Sequence, residues 1–219
     1  MPPGILKERK GLSMKIIKPW FRIESEINGR EILRGIELAG RTAYKSEDRI
    51  TEDSAGKFAR MIIKRGHESV LEHRSVTVRI VCDRGVTHEI VRHRLASYTQ
   101  ESTRYCNYSR DQFENEITVI DPVFWEEGSE EYGVWKTAMQ NAEEAYMRLL
   151  ELGATPQEAR SVLPNSLKTE IVMTMNLREW RKFFRLRADS HAHPQMQEVA
   201  RSLLEHFQME IPVIFDDLL

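Results

Sequence analysis

In the stretch RSVTVRIVC, Val76, Val78, Ile80 and Cys82 fall on every second residue. That period places all four on one face of a strand and makes the strand half-buried. A sheet with one apolar face needs helices laid over it, so the cover must come from elsewhere in the chain. Ile32, Leu33, Ile36 and Ala39 share a helical face in REILRGIELAGRTAY. A second helix, capped by Asp53 or Ser54, carries Ala55, Phe58, Ala59 and Ile62 and ends near Gly66. The longest apolar stripe runs from Val134 through Trp135, Ala138, Met139, Ala142, Tyr146, Leu149 and Leu150 to Gly153. Thr155-Pro156-Gln157-Glu158 is a capping box with proline at the first helical position, which puts Arg160 on a new helix that Pro164 ends. A last helix, about 195 to 208, shows Met196, Val199, Ala200, Leu203, Leu204 and Phe207.

Further strands are expected at KIIKPW from Met14, at EITVI before Asp121-Pro122, and at TEIVMTMN. Asn176 with Glu179 can cap the helix that follows the last of these. From Val86 to about Leu95 the chain is expected to be helical, delivering Arg92 to Arg94 at the C-terminal end. Long helices with scattered strands and no repeating βαβ order predict an α+β fold, a single domain with an antiparallel or mixed sheet. Residues 1–13 are weakly patterned and are set apart as a leader of uncertain role, so the domain is read as 14–219, with Met14 a plausible natural start.

With 219 residues, 41% of them hydrophobic, the chain can bury a sizeable core. A net charge of -2 argues against a general nucleic-acid or membrane binder, so any anion site must be local. Cys82 and Cys106 are too few for a disulfide framework or a cysteine-rich zinc site. No run of about 18 apolar residues occurs and no apolar signal core opens the chain, which points to the cytoplasm. Neither G-x-G-x-x-G nor G-x-x-x-x-G-K-[ST] is present.

The local anion site has an obvious candidate. RHRLASYTQESTRY packs Arg92, His93, Arg94 and Arg104 among Ser97, Thr99, Gln100, Ser102 and Thr103, with Glu101 as its one acid. Arginine suits phosphate because its planar fork donates paired hydrogen bonds, and the hydroxyls can complete a cradle. A second basic cluster, REWRKFFRLRADSHAHPQ, holds Arg178, Arg181, Lys182, Arg185 and Arg187. Arg178, Arg181 and Arg185 share a helical face and are either a solvated surface or part of a site; Arg187, between an apolar run and a polar turn, fits a site better. The histidines at 67, 73, 88, 93, 191 and 193 match no helical ligand pair, so hydrogen-bonding or core roles are expected and no metal site. Cys106 lies near the basic segment, where cations can lower a thiol pKa, although a small buried thiol is the commoner role.

Arg92-His93-Arg94, Ser97, Ser102 and Arg104 reproduce the R-H-R-x-x-S-x-x-x-x-S-x-R signature, and the chain thereby resembles the flavin-dependent thymidylate synthases. The resemblance extends through GRTAY, GHESVLEH, ARSVLPNSL and MNLREWRKFFRLRADSHAHPQ, covering nearly everything from Met14 to the last helix. It implies a homotetramer of α+β subunits with FAD bound where subunits meet. It implies methylation of dUMP to dTMP, with carbon from methylenetetrahydrofolate and reducing equivalents from NADPH through the flavin. Carried over by position, Ser69, Glu72, Arg92, His93, Arg94, Gln100, Asn176, Arg178, Lys182, Leu186 and His191 are implied flavin-binding residues. Glu89, Arg92, Gln100, Ser102, Thr103, Arg104 and Arg160 are implied to bind dUMP. Arg187 is implied to be catalytic, stabilising negative charge around N3 and O2 of the uracil. Gln100 stands where an acid is common in the family, and Lys182 where an amide is common.

Two rivals come from other classes. The arginine clusters could serve a nucleic-acid-binding module, but the chain has neither a basic balance nor exposed aromatic stacking motifs. A metal-dependent nucleotide hydrolase would need histidine spacings that the chain does not have.

Overall fold

The computed structural model describes residues 14–110 and 113–218. The leader reading of residues 1–13 lies outside the described residues. The sequence pattern reads as one domain; by its internal contacts the folded chain groups into two compact units. Among the described residues, one unit comprises 14–18, 101–110 and 113–168; the other comprises 19–100 and 169–218. KIIKPW accordingly splits into β1 (Lys15–Ile17) of the first unit and the start of β2 (Trp20–Ile23) of the second.

The larger unit is built on a four-stranded sheet in the order β2-β3-β6-β4, with β3 at Ser75–Asp83, β4 at Ala96–Gln100 and β6 at Lys168–Asn176. β2 pairs antiparallel with β3, and β4 antiparallel with β6. The alternation read from the sequence holds: Val76, Val78, Ile80 and Cys82 are buried in one core with Ile171, Met173 and Met175 of β6. The cover is α1 (Gly29–Thr42), α2 (Ser54–Lys64), α6 (Leu177–Arg187) and α7 (Pro194–Glu210); α1, α2 and α7 carry the expected stripes. A one-turn α8 (Pro212–Phe215), not expected from the sequence, adds Ile214 and Phe215 to the same core. Trp180, Phe183, Phe184, Phe207 and Phe215 form a chain of ring contacts 5.0 to 5.7 Å apart, mostly edge-to-face.

Two strand-to-helix junctions set the geometry of this unit. β3 ends on Asp83, whose carboxylate accepts from the Val86 amide at 2.8 Å and starts α3 (Arg84–Ile90). β6 ends on Asn176, whose side-chain oxygen accepts from the Glu179 amide at 2.9 Å and starts α6. β6 runs opposite to its neighbour β3, the Leu177 amide donating to the Arg74 carbonyl at 2.9 Å and Thr77 facing Thr174 at 2.9 Å, so α3 and α6 leave the sheet from opposite ends.

In the smaller unit, β1 pairs in parallel with β5 (Thr118–Ile120), and α4 (Glu130–Glu151) covers them. Its core gathers Ile117, Val119, Trp135, Met139, Tyr146, Met147 and Leu167. The capping box at Thr155 is formed: the Thr155 amide donates to Glu158 at 2.8 Å, starting α5 (Pro156–Ala159). Arg160 stands just past that turn, at the head of a short 3-10 helix.

Three local expectations need correction. α3 stops at Ile90 rather than near Leu95, because the amides of Arg92 and His93 bond three residues back and tighten the last turn. The Tyr98 hydroxyl then lies 2.9 Å from the Ile90 carbonyl and 2.6 Å from that of His93, donating to one at a time. Residues 96–100, where the sequence pattern places no strand, form β4. Thirdly, neither residue expected to cap α2 does so: Asp53 sits at the N-cap without a side-chain bond, and Ser54 donates to the buried Glu37 at 2.6 Å.

Arg181 is not on a solvated face. It is fully buried, pairs with Asp217 through two 2.7 Å bonds, reaches Glu68 at 3.2 Å and donates to the Ile214 carbonyl. Arg178 and Arg185 remain exposed. Arg181 therefore ties α6 to the C-terminal segment and to the 3-10 helix Glu68–His73. Removing one member of a buried ion pair typically costs about 3–5 kcal/mol. For Arg181→Ala we expect about 3 kcal/mol, the low end of that range, because Asp217 is half exposed and can rehydrate. Exposed Arg185→Ala should cost under about 1 kcal/mol. Denaturant melts of the two variants check this, and equal losses would contradict it.

Candidate functional site

α3 and α6 start from opposite ends of the adjacent strands β3 and β6, and their C-terminal ends meet, bringing distant residues into contact. The Arg187 guanidinium donates from Nη1 to the Glu89 carboxylate at 2.6 Å and from Nη2 to the Glu89 carbonyl at 3.2 Å. Its Nε donates to Nε2 of His93, also at 3.2 Å. Nδ1 of His93 faces the Glu179 carboxylate at 3.4 Å, and Lys182 approaches the same carboxylate at 3.2 Å. His93 and Glu179 are buried, and the His93 ring packs edge-on against Phe183 at 5.0 Å. Burial first, and the nearby Arg187 charge second, push the His93 pKa below its usual value, so the ring is neutral.

Around these residues the same unit presents the others implied in flavin binding. Arg92 and Arg94 are exposed and form no ion pair among the described residues. Arg178 reaches Glu72 at 2.6 Å, and both side chains are largely exposed. Asn176 spends its carbonyl oxygen on the α6 cap and keeps its amide N–H groups for other partners. Leu186 is exposed, as are Val91 and Leu95 beside the arginines. His191 folds back on Asp189 at 2.7 Å in the turn after α6. Ser69 lines a cavity of about 580 Å³ whose wall includes Arg41, Arg49, Arg65, His67 and Phe58. Gln100 donates to Thr87 at 3.0 Å and to Thr169 at 3.3 Å, leaving its carbonyl oxygen as an acceptor.

The smaller unit holds the remaining cradle. The Ser102 hydroxyl accepts from the Arg104 amide at 3.3 Å within the turn Ser102–Cys106. Thr103 is buried and its hydroxyl accepts from Arg160 at 3.4 Å. Arg104 and Arg160 are themselves exposed, with no ion pair among the described residues, and Arg104 rests over the Tyr105 ring. The lone acid of the segment is neutralised: Glu101 pairs with Lys168 at 2.9 Å and accepts from the buried Tyr108 hydroxyl at 2.9 Å. Its charge is thereby kept off the cradle.

Sequence reasoning missed Glu179 as a site residue. Its spacing from Asn176 marks it as the reciprocal half of a capping box, yet its carboxylate turns inward to His93 and Lys182. A glutamate three residues after a capping asparagine gives no hint of this, because the deciding partners come from just beyond α3 and from one turn further along α6. Glu68, which joins Arg181 and Arg185 to the 3-10 helix, was missed for the same reason.

The donor chemistry suits a flavin nucleotide. Exposed arginines can meet a pyrophosphate, and exposed apolar residues beside them can meet a ring system. It does not suit a nucleic-acid groove, since Arg178, Arg185 and Arg187 are matched to carboxylates and Arg181 is buried. Among the described residues, no group of three His, Cys, Asp or Glu is placed to hold a metal ion, and no helix is long and apolar enough to cross a membrane.

Fold and site together define an α+β protein with patches suited to anionic small ligands. The chain belongs to the thymidylate synthase complementing protein family, whose model matches residues 30–213. It is 39% identical over 171 residues to the flavin-dependent thymidylate synthase of Pyrococcus furiosus, covering 78% of this chain and 69% of that one. To the flavin-dependent thymidylate synthase of Mycobacterium sp. (strain JLS) it is 35% identical, covering 91% and 83%. A UMP/dUMP methylase, PolB from Streptomyces cacaoi, solved with 5-Br UMP, matches with a TM-score of 0.75 at 21% identity, covering 93% and 95%; that likeness is one of fold. The resemblance read from the signature is thus upheld, and the nucleic-acid alternative is not favoured.

Both thiols are held protonated. Burial pushes the pKa of Cys82 up strongly, and burial with the nearby Glu101 carboxylate raises that of Cys106. The cations beside Cys106 do not prevail. Iodoacetamide at about pH 7.5 is expected to modify Cys106 more slowly than a free thiol and Cys82 only after unfolding. Mass spectrometry of the native protein checks this; fast labelling of Cys106 would contradict it.

Proposed function

We propose that the chain is a flavin-dependent thymidylate synthase, methylating dUMP to dTMP with carbon from methylenetetrahydrofolate and reducing equivalents from NADPH by way of FAD. One observation carries the reading. His93 of the signature and Arg187, 94 positions apart, meet at 3.2 Å, and Glu89 holds the same guanidinium. An arginine anchored on its inner edge is pre-organised to stabilise charge on its outer edge.

Among the described residues, Arg187 uses three of its five N–H donors, two on Glu89 and one on His93. The two that remain can meet the N3 and O2 edge of a pyrimidine. Negative charge there grows as C5 becomes nucleophilic, so the interaction strengthens toward the transition state and lowers the barrier. Ser102, Thr103, Arg104 and Arg160 bind the dUMP phosphate and sugar, with Glu89, Arg92 and Gln100 assisting. For the flavin, Arg92 and Arg94 supply cations, with Ser69, Glu72, His93, Gln100, Asn176, Arg178, Lys182, Leu186 and His191 completing the set. FAD, when bound, supplies the redox chemistry that side chains lack. Lys182 stands at an amide position, and the buried Glu179 beside it gives the ammonium a partner.

Exposure of Val91, Leu95 and Leu186 beside the cations supports assembly of the chain into a homotetramer that covers them. The two free thiols suit a reducing compartment such as the cytoplasm.

Purified protein with FAD, NADPH and methylenetetrahydrofolate should convert dUMP to dTMP. A folded protein that takes up no flavin and forms no dTMP would refute the reading. Arg104→Ala and Arg160→Ala should each weaken dUMP binding about ten- to a hundred-fold, as for loss of a hydrogen bond to a charged group worth roughly 1.5–3 kcal/mol. Deoxyuridine, lacking phosphate, should lose little. Calorimetric titration with both ligands decides, and equal losses would undo the phosphate assignment.

A further inference from the structure

Arginine has five N–H donors and no acceptor. The contact between Arg187 Nε and His93 Nε2, at 3.2 Å, is therefore a hydrogen bond only if Nε2 carries no proton. A neutral ring must then carry its proton on Nδ1, which faces Glu179 at 3.4 Å. Glu179 is acceptor-only when ionised, so it selects that tautomer. The carboxylate is buried, a costly state without partners. Lys182 supplies one, lying 3.2 and 3.4 Å from its two oxygens, and Lys182 is the residue that departs from the family's usual amide.

We propose that Glu179 is a positioning residue for the reaction: it holds His93 in the Nδ1–H tautomer, and His93 in turn holds Arg187 in its working orientation. The proposal rests on the assignment of Arg187 to the pyrimidine. Lys182 is the counter-charge that makes the buried carboxylate tolerable. Without Glu179, nothing specifies which ring nitrogen of His93 is protonated. The Nε2–H form sets a donor against a donor, and Arg187 loses one of its three anchors. The same logic makes the buried aspartate of a Ser-His-Asp triad matter through its histidine's tautomer.

The test compares wild type, Glu179→Leu and Glu179→Gln, all flavin-loaded. Solid-state 15N NMR of protein labelled at its histidine rings, with His93 assigned by its loss in His93→Gln, reads the tautomer directly. Wild type should show a neutral His93 protonated on Nδ1. Glu179→Leu should shift the population toward Nε2–H and slow dTMP formation at saturating dUMP about ten-fold, the scale of losing a partner that orients a functional histidine. Its dUMP affinity should stay within about two-fold, since the phosphate contacts are untouched. Glu179→Gln keeps an acceptor oxygen and should recover the tautomer and most of the rate, which a purely structural role would not require. A wild-type His93 protonated on Nε2, or a tautomer unchanged in Glu179→Leu, overturns the proposal. So does a changed tautomer with an unchanged rate, while wild-type turnover leaves the proposed function standing. Wild type that forms no dTMP would instead bring down the function reading and this proposal with it.

Discussion

The larger unit depends on two adjacent strands that each end on a capping side chain. Asp83 and Asn176 stop β3 and β6 by offering an oxygen to the amide three residues on, which converts a strand into a helix without a connecting loop. With no loop, there is little freedom in where α3 and α6 go. Their last turns are thereby fixed to each other, and that is where Glu89, His93 and Arg187 meet. Asp83 is itself buried, with its pKa raised by burial, and its second oxygen accepts from Gln195 of α7 at 3.1 Å. The junction is thus braced by the helix that covers it.

The arginines differ in how their charge is matched. Arg181 is buried and matched, and it links α6 with the 3-10 helix and the chain's last turns. Arg187 is matched on its inner edge by Glu89 and His93. Arg92, Arg94, Arg104 and Arg160 are exposed, with no ion pair among the described residues, while Glu101, the acid nearest to them in sequence, is drawn off by Lys168 and Tyr108. Unmatched arginines leave their paired donors available to an anion from outside the chain, whereas matched ones have carboxylate partners within it.

Periodic features were legible in the sequence. The β3 alternation, the α4 and α7 stripes, the Asn176 cap and the Thr155 capping box all depend on neighbours in sequence, and all formed. β4 was not legible because Ala-Ser-Tyr-Thr-Gln has little apolar alternation; its strand state comes from pairing with β6. The early end of α3 depends on Tyr98, eight residues on from Ile90. Arg181 was open between surface and site, and Glu179 looked like a cap, because a helical wheel ranks a charged residue outward. Only tertiary partners, His93 for the glutamate and the 3-10 helix, α8 and Asp217 for the arginine, bring them inside. At the candidate site, residue types were readable from the signature. The pairing of Arg187 with Glu89 and His93 was not, since it is created by the sheet order.

The central claim is that Arg187 acts on the chemical step through a planar, anchored guanidinium. Pre-steady-state kinetics of Arg187→Lys test it most directly, since lysine keeps the charge and loses the fork. The measurement is the single-turnover rate of dTMP formation by pre-reduced enzyme, alongside dUMP affinity. A fall of about a hundred-fold in that rate at saturating dUMP, well beyond any fall in affinity, is the expected result. A rate equal to wild type would make Arg187 a structural or binding residue and contradict the account.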